Sequence, residues 1–400
     1  MTKLLIILPS TQRGGTEEYA LTIASAAVKN GWDVHAAFPE ITTTATLVQT
    51  FEEKDVYYHS LNISEVNNYR FKTLKYILQL FKTLILLFKI QPDVVQINLP
   101  GFDCCFGSIL ACGWLRIPTL VVFHLFLDRA YFSEHKLKLY AWARARNQQW
   151  TAVSEYNRRL VSESFRIPSN EVLLIYNGVN TKEVDNKNKS EGIVDIRYQL
   201  RQEIGVPQNS ILVLTVGRLH SQKGHKDLIP TIPYLIKDFP DLRFIWVGDG
   251  EEKENLVNQV RRYGVEDKVF FLGYRSDVSR LLKSADLFVF PTHFEGLPLA
   301  VLESMANNLP IITTEAASIP EVIEDKVHGL LCKIGDSCDL LEALRWALEH
   351  PDKMKQMSIN AKLRVQEFSE DRMVQETLSI LQKLSYTFPK ISQSVVKHEF

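Results

Sequence analysis

Short apolar runs alternate with helix-like stretches along this chain, and the alternation happens twice. In the first half, residues 3–8, 33–38, 93–97, 119–124, 150–153 and 172–176 are apolar runs too short for helices and read as strands. Between them lie helical patterns. The clearest puts Tyr19, Ala20, Ile23, Ala24, Ala27 and Val28 on one face and stops at Gly31. Strands that are apolar along their whole length need cover on both faces, so the pattern predicts a parallel sheet between layers of helix. Residues 180–192 then turn rich in Asn, Lys, Asp and Glu, as an exposed connection between domains would. The alternation restarts at 211–216, 242–247, 269–272, 287–290 and 310–313, and a last helix is predicted from Glu370 to about Ser385. A chain of 400 residues is long for one core. Two α/β, doubly wound domains are expected, at 1–180 and 195–374, with no sequence repeat of fixed period relating them.

Composition narrows the function class. Net charge is -1, so the chain as a whole has no pull toward nucleic acid. The five cysteines form no C-x-x-C pair, which argues against structural zinc and a disulfide framework and fits a reducing, cytoplasmic setting. The apolar run 4–8 is too short for a signal-peptide core. Residues 71–90 are apolar apart from Lys72, Lys75, Lys82, Lys89, Gln79 and two threonines. Charge recurs too often there for a membrane span. Two readings fit: a surface helix with lysine stems lying over apolar surface, which is preferred, or a helix resting on the cytosolic face of an anionic membrane.

Several fingerprints are missing. No G-x-G-x-x-G follows Leu8 or Val247, and there is no G-x-x-x-x-G-K-[ST] and no G-x-S-x-G. No two aspartates stand two positions apart, so the paired-Asp metal clamp of many nucleotide-sugar enzymes is not present and no metal or other cofactor is expected.

The second half is more informative. After the predicted strand 287–290 come Pro291, Thr292, His293, Phe294, Glu295, Gly296, Leu297 and Pro298, then a predicted helix 299–308 with Pro298 as its first residue. The open N–H groups of such a helix would face the crevice at the carboxyl end of the sheet, where open α/β sheets bind ligands. Glu295 stands just before the helix and could reach sugar hydroxyls; Glu303, inside it, could reach a ribose diol. On spacing alone, a surface glutamate and a helix glutamate paired to lysines is the favoured explanation. The frame of Gly296 and Pro298 tips the balance toward a site.

Taken together, the segment HFEGLPLAVLESMANNLPIITTEAASIPE, from His293 to Glu321, resembles the donor-site signature of the family 4 retaining glycosyltransferases, which have the GT-B fold. Further matches run in the family's order. Gly14-Gly15-Thr16-Glu17 is similar to its N-terminal glycine loop, and His124 ends the strand where the family has a histidine toward the donor sugar. Asn177-Gly178-Val179 resembles the domain junction, Val216-Gly217-Arg218-Leu219 with Lys223-Gly224 the pyrophosphate loop, and Val247-Gly248-Asp249-Gly250 the second strand-to-helix turn. The resemblance covers essentially the whole chain.

It implies two facing Rossmann-like domains, the acceptor on the first and a nucleotide-diphosphate sugar on the second, with residues from about 375 to 400 packing back on the first. It implies catalytic roles for Glu295, His124, Arg218 and Lys223. Gly15, Gly217, Gly296, Leu297, Pro298 and Leu299 would line the donor, and Tyr274, Arg275 and Glu303 would meet its base and ribose. Loss of a nucleoside diphosphate builds negative charge on the β-phosphate, and cations such as Arg218 and Lys223 would stabilise it. His124 reads equally well as a satisfied strand-end histidine and Tyr274 as packing; Arg218 and Lys223 could also be surface cations, but the frame of Gly217 and Gly224 favours the phosphate role. The implied activity is transfer of a hexose-type sugar, with retention, to a saccharide or lipid-linked acceptor in polysaccharide or glycolipid synthesis. Whether Glu295 is a nucleophile or supports a front-face route stays open. An epimerase or hydrolase on the same fold and a non-catalytic binding subunit are the rival functions. Two departures stand out: Ala317-Ser318 replaces a common Gly-Gly, which bears on the donor sugar, and Asn308 replaces a common glycine at a helix end, where Asn tolerates the left-handed conformation.

Overall fold

The computed structural model describes residues 1–63, 72–127, 131–182 and 193–387. Phe71, residues 183–192 of the polar connection and the tail beyond 387 lie outside the described residues. The chain divides into two compact units, one made of Met1–Tyr176 and the residues from Arg372 onward, the other of Asn177–Asp371.

In the first unit, β1 (Lys3–Ile7), β2 (Asp33–Phe38), β3 (Tyr57–Ser60), β4 (Val94–Leu99), β5 (Thr119–Phe123), β6 (Gln148–Ala152) and β7 (Val172–Leu174) form a parallel sheet. Its order is β3-β2-β1-β4-β5-β6-β7. The central strands are apolar because helices cover both faces: Leu4, Leu5, Ile6 and Ile7 are all completely buried. Leu4 pairs with Val34 on one side and Val94 on the other, so the chain changes direction across the sheet between β1 and β4. That switch point opens a crevice at the strands' carboxyl ends. The last helix, Glu370–Thr387, packs on this unit, where the Thr377 hydroxyl lies 3.1 Å from the hydroxyl of Tyr19 on the helix Gly15–Lys29.

The second unit repeats the plan with β8 (Ile211–Val216), β9 (Leu242–Val247), β10 (Val269–Gly273), β11 (Leu287–Phe290), β12 (Ile311–Thr314) and β13 (Leu330–Cys332). The order is β10-β9-β8-β11-β12-β13, again parallel, with the switch between β8 and β11. The strand predictions omit β3 and β13. Both are edge strands; β3 reads Tyr-Tyr-His-Ser and is half exposed, and β13 is three residues long, so neither has an apolar run to reveal it.

Where the chain enters and leaves this unit, two segments lie side by side. Val179 donates its N–H to Phe368 O at 3.0 Å and accepts from Glu370 N at 2.9 Å. A Cβ on Gly178 would stand 2.3 Å from Ser369 O, so only glycine allows the two backbones this approach.

Candidate active site

The second unit's switch point brings two loops together, one after β8 and one after β11. The first carries Gly217, Arg218 and Leu219, then a 3-10 turn Ser221–Lys223 closed by Gly224. Gly224 has φ +67, and a Cβ there would stand 1.8 Å from Pro291 O, so glycine is what lets this turn press against the end of β11. Gln222 fastens the same contact. Its carbonyl accepts from His293 N at 2.8 Å, and its amide donates to Phe294 O at 2.6 Å. Asp227 and His293 meet at 2.5 Å just behind the turn.

This fastening delivers Lys223 to Glu295. The ammonium donates to Glu295 Oε1 at 2.6 Å, and the Thr292 hydroxyl reaches the same oxygen at 2.7 Å. Glu295 is 6% exposed. A carboxylate so deeply buried needs its cation, because an unpaired charge there would carry a large desolvation penalty. Lys223 Nζ also lies 5.2 Å from the centroid of Phe290, a cation–π contact that holds it against the sheet. Oε2 of Glu295 has no hydrogen-bond partner among the described residues. Arg218 is exposed on the neighbouring loop, and its guanidinium has no ion-pair or hydrogen-bond partner among the described residues. Behind the turn, His225 is buried edge-on to Trp246 at 5.1 Å; burial and the nearby Lys223 charge lower its pKa to about 3, so the ring is neutral.

The helix after Glu295 runs Leu299–Ala306. Pro298 precedes it as the extended N-cap, with ψ 117, which corrects the expectation that Pro298 is the first helical residue: the helix begins only once the chain has turned after the proline. Gly296, Leu297 and Pro298 are buried and Leu299 is partly exposed. The Leu297 carbonyl is held by Asn177 Nδ2 at 2.9 Å. Glu303 is half-buried on this helix. The helix ends two residues before the predicted limit, and Asn308 takes φ +57 where a glycine is common. Ala317 also lies in the left-handed region, at φ +49, and the Ser318 hydroxyl reaches Glu295 O at 3.4 Å. The loop therefore keeps a glycine-type backbone despite having lost the glycine.

The predicted base-side residues divide. Tyr274 is 55% exposed after β10. Arg275 is engaged: Asp277 takes its Nε and Nη2 at 2.7 Å each, and Glu203 its Nη1 at 2.6 Å. Arg280 joins the same cluster through Glu203 at 2.6 Å, and the arginine hydrogen bonds hold the Asp277 carboxyl down at about 2.

The first unit's switch point is built differently. Gly15 begins the helix Gly15–Lys29 with Gly14 as its extended N-cap. Glu17, in the first turn, is 5% exposed and hydrogen-bonded by the Ser10 hydroxyl; burial pushes its pKa up. His124 follows β5 and is 7% exposed. Its Nε2 lies 3.1 Å from Asn98 Oδ1 on β4, its ring meets Tyr19 edge-on at 4.7 Å, and Asn157 donates to its carbonyl at 3.1 Å. Burial lowers its pKa to about 3, so the imidazole is neutral and Nε2–H donates to Asn98. Asn98, Asn157, Gln222, Thr292 and Asp227 were not foreseen from the sequence. Each acts through a tertiary partner, and no spacing rule marks such residues.

Comparison with known proteins agrees with this geometry. Residues 13–183 match the model of Glycosyltransferase Family 4, and residues 197–364 that of Glycosyl transferases group 1. An uncharacterized glycosyltransferase of Haemophilus influenzae is 27% identical over 374 residues, spanning 92% of this chain and 96% of that one. A glycosyltransferase structure from Rickettsia africae superposes with a TM-score of 0.80 at 18% identity, over 97% of this chain and 99% of that one. HepE of Anabaena, solved in complex with UDP-glucose, superposes with a TM-score of 0.78 at 21% identity, over 96% and 100%. Two parallel doubly wound units, a cationic turn on a buried glutamate, and these matches from residue 13 to residue 364 lead to one conclusion: this chain has the GT-B fold and belongs to the family 4, group 1 glycosyltransferases.

Proposed function

We infer that the second unit binds a nucleotide-diphosphate sugar and that the enzyme transfers its hexose-type sugar, with retention, to a saccharide or lipid-linked acceptor. The observation that carries this reading is the Lys223–Glu295 pair at the switch point, with Arg218 on the same loop as Lys223 and without a side-chain partner among the described residues. Arg218 offers a planar fork to phosphate oxygens and Lys223 a compact charge. HepE's complex with UDP-glucose supports a donor of this chemical class.

In the transfer, the bond from the sugar's anomeric carbon to the β-phosphate oxygen breaks and its electron pair leaves with the nucleoside diphosphate. A bond from an acceptor oxygen to the same carbon forms, and the acceptor's proton passes to the departing phosphate. Arg218 and Lys223 stabilise the charge growing on that phosphate, the task a metal performs in other nucleotide-sugar enzymes. Glu295 positions the sugar and stabilises the positive charge developing on its ring. The neutral His124 gives the first unit a hydrogen-bonding group toward a sugar hydroxyl. Synthesis of a cell-surface polysaccharide or glycolipid on the cytoplasmic side suits such an acceptor.

The test is release of nucleoside diphosphate from a panel of UDP- and GDP-sugars, with and without a lipid extract containing lipid-linked saccharides, and with and without EDTA. Release that requires the extract and is indifferent to EDTA is expected. Nucleoside diphosphate released equally well without any acceptor would instead identify a hydrolase, and donor isomerised with no release of nucleoside diphosphate an epimerase.

A further inference from the structure

The helix Lys72–Ile90 is apolar on both faces. Its inner face carries Gln79, Thr83, Leu86, Leu87 and Ile90, all buried, with Tyr76, Leu80 and Leu84 partly buried against the same core. Gln79 Nε2 donates to Ile63 O at 3.1 Å, and the Thr83 and Ser108 hydroxyls meet at 2.8 Å. Its outer face is apolar as well. Leu74, Ile77, Leu78, Phe81, Ile85 and Phe88 are 46% to 69% exposed. At 3.6 residues per turn these six fall within about 100° of arc, opposite the buried face, in a stripe about 21 Å long. Lys75, Lys82 and Lys89 recur every seventh residue and form one ridge along the edge of that stripe. The helix contains no acidic residue, although the whole chain has a net charge of -1.

An ordinary surface helix turns a polar face outward, and this one turns an apolar face outward. Six large apolar side chains in one exposed stripe mark a surface that is covered in use. The lysine ridge decides what covers it. A neutral apolar partner would gain nothing from three aligned cations, whereas an anionic lipid surface takes both: the phenylalanines and aliphatic side chains enter the acyl boundary while the ammonium groups stay at the phosphates. Among the described residues no helix is long and apolar enough to cross a membrane, so such a contact runs along the surface.

We propose that the helix Lys72–Ile90 docks this protein on an anionic membrane surface through the stripe of Leu74, Ile77, Leu78, Phe81, Ile85 and Phe88 and the ridge of Lys75, Lys82 and Lys89. The lysine-edged reading of the sequence thereby gains its missing part, since the lysines flank the contact and the apolar side chains make it. The proposal stands whether or not the second unit transfers sugar.

The experiment is vesicle flotation of the full chain with phosphatidylcholine vesicles, with and without phosphatidylglycerol. Three proteins are compared: wild type, the double variant Phe81→Ser with Phe88→Ser, and the triple variant Lys75→Gln, Lys82→Gln, Lys89→Gln. The altered side chains are exposed except Lys75, which is partly buried, and Lys82 donates to Asn62 O at 3.3 Å, so melting temperatures should stay close to wild type and nucleotide-sugar binding should match it. Wild type is expected to partition on the order of tenfold more strongly to the anionic vesicles, and to lose that margin in high salt. The serine variant should lose binding to both vesicle types, and the glutamine variant only the anionic preference. Absence of wild-type binding, or binding unchanged in the serine variant, overturns the proposal. So does a concentration-dependent dimer in sedimentation velocity that the serine substitutions abolish while no vesicle binding is seen, because a second copy would then be what covers the stripe.

Discussion

The two sheets share a strand plan, and their ligand edges differ in charge. Each is parallel, each reverses direction beside its first strand, and each ends its central strands in glycine-containing loops. At the second unit's edge the loops present a full ion pair, Lys223 on Glu295, and a guanidinium on Arg218 that has no partner among the described residues. At the first unit's edge the buried groups are His124, Asn98 and Glu17; burial keeps the imidazole neutral and raises the pKa of the carboxyl. The scaffold sets where ligand goes, and the loops set which chemistry it meets. Phosphate departure needs cations, while a sugar hydroxyl is recognised by neutral hydrogen-bonding groups without the cost of burying a charge.

The contrast can be broken most severely at Lys223. Lys223→Ala should lower turnover by about 10² to 10³-fold, since it removes stabilisation of the leaving phosphate and leaves Glu295 buried without its cation. Steady-state rates and melting temperature would both fall; a rate within threefold of wild type would remove the lysine from the chemistry. Arg218→Ala should weaken nucleotide-sugar binding about ten- to a hundredfold, as expected for one charge-assisted contact, and leave stability within about 0.5 kcal/mol. Arg275→Ala is the control for that variant. Its fork is engaged by Asp277 and Glu203, so calorimetry should show a loss of stability with donor affinity much less changed.

A smaller effect separates protonation from charge. His124 and His225 have folded pKa values of about 3, below the usual 6.5, so the unfolded chain takes up protons first as pH falls. Their contribution to stability is complete above pH 6.5 and is lost as pH drops toward 3, at about 1.4 kcal/mol per pH unit for each ring. Denaturant titrations between pH 7 and pH 5 should show a slope of this sign, to which His35, His59 and His328 with their lowered pKa values add, and His124→Gln should reduce it by one ring's share; an unchanged slope would mean that the ring is not buried neutral. The smallest effect expected is a gain. Ala317 at φ +49 is in a conformation that suits glycine, so Ala317→Gly should raise stability by about 1 kcal/mol.

Most strands could be read from the sequence because burial on both faces leaves a continuous apolar run. Where that burial is missing, as at the half-exposed Tyr57–Ser60 edge, the signal is missing too. The site was partly legible. Glu295 and Lys223 could be nominated from glycine and proline punctuation and from resemblance, but their pairing depends on Gln222 and Thr292 joining loops some seventy residues apart. Half of the engagement of Arg275 was hidden for the same reason: Asp277 stands two residues on, but Glu203 lies at the end of the helix Ile193–Glu203. The exposed stripe of the helix Lys72–Ile90 was hidden because an apolar run in one dimension does not show which of its side chains face outward.

The central claim is that the cationic turn after β8 holds the diphosphate of a sugar donor. Isothermal titration of the wild-type chain and of the Arg218→Ala, Lys223→Ala double variant with UDP- and GDP-sugars tests it directly. Saturable binding of at least one nucleotide sugar to wild type, lost in the double variant while its fold is retained, is the predicted result. No binding of any nucleotide sugar, or binding that the double variant keeps unaltered, would contradict it.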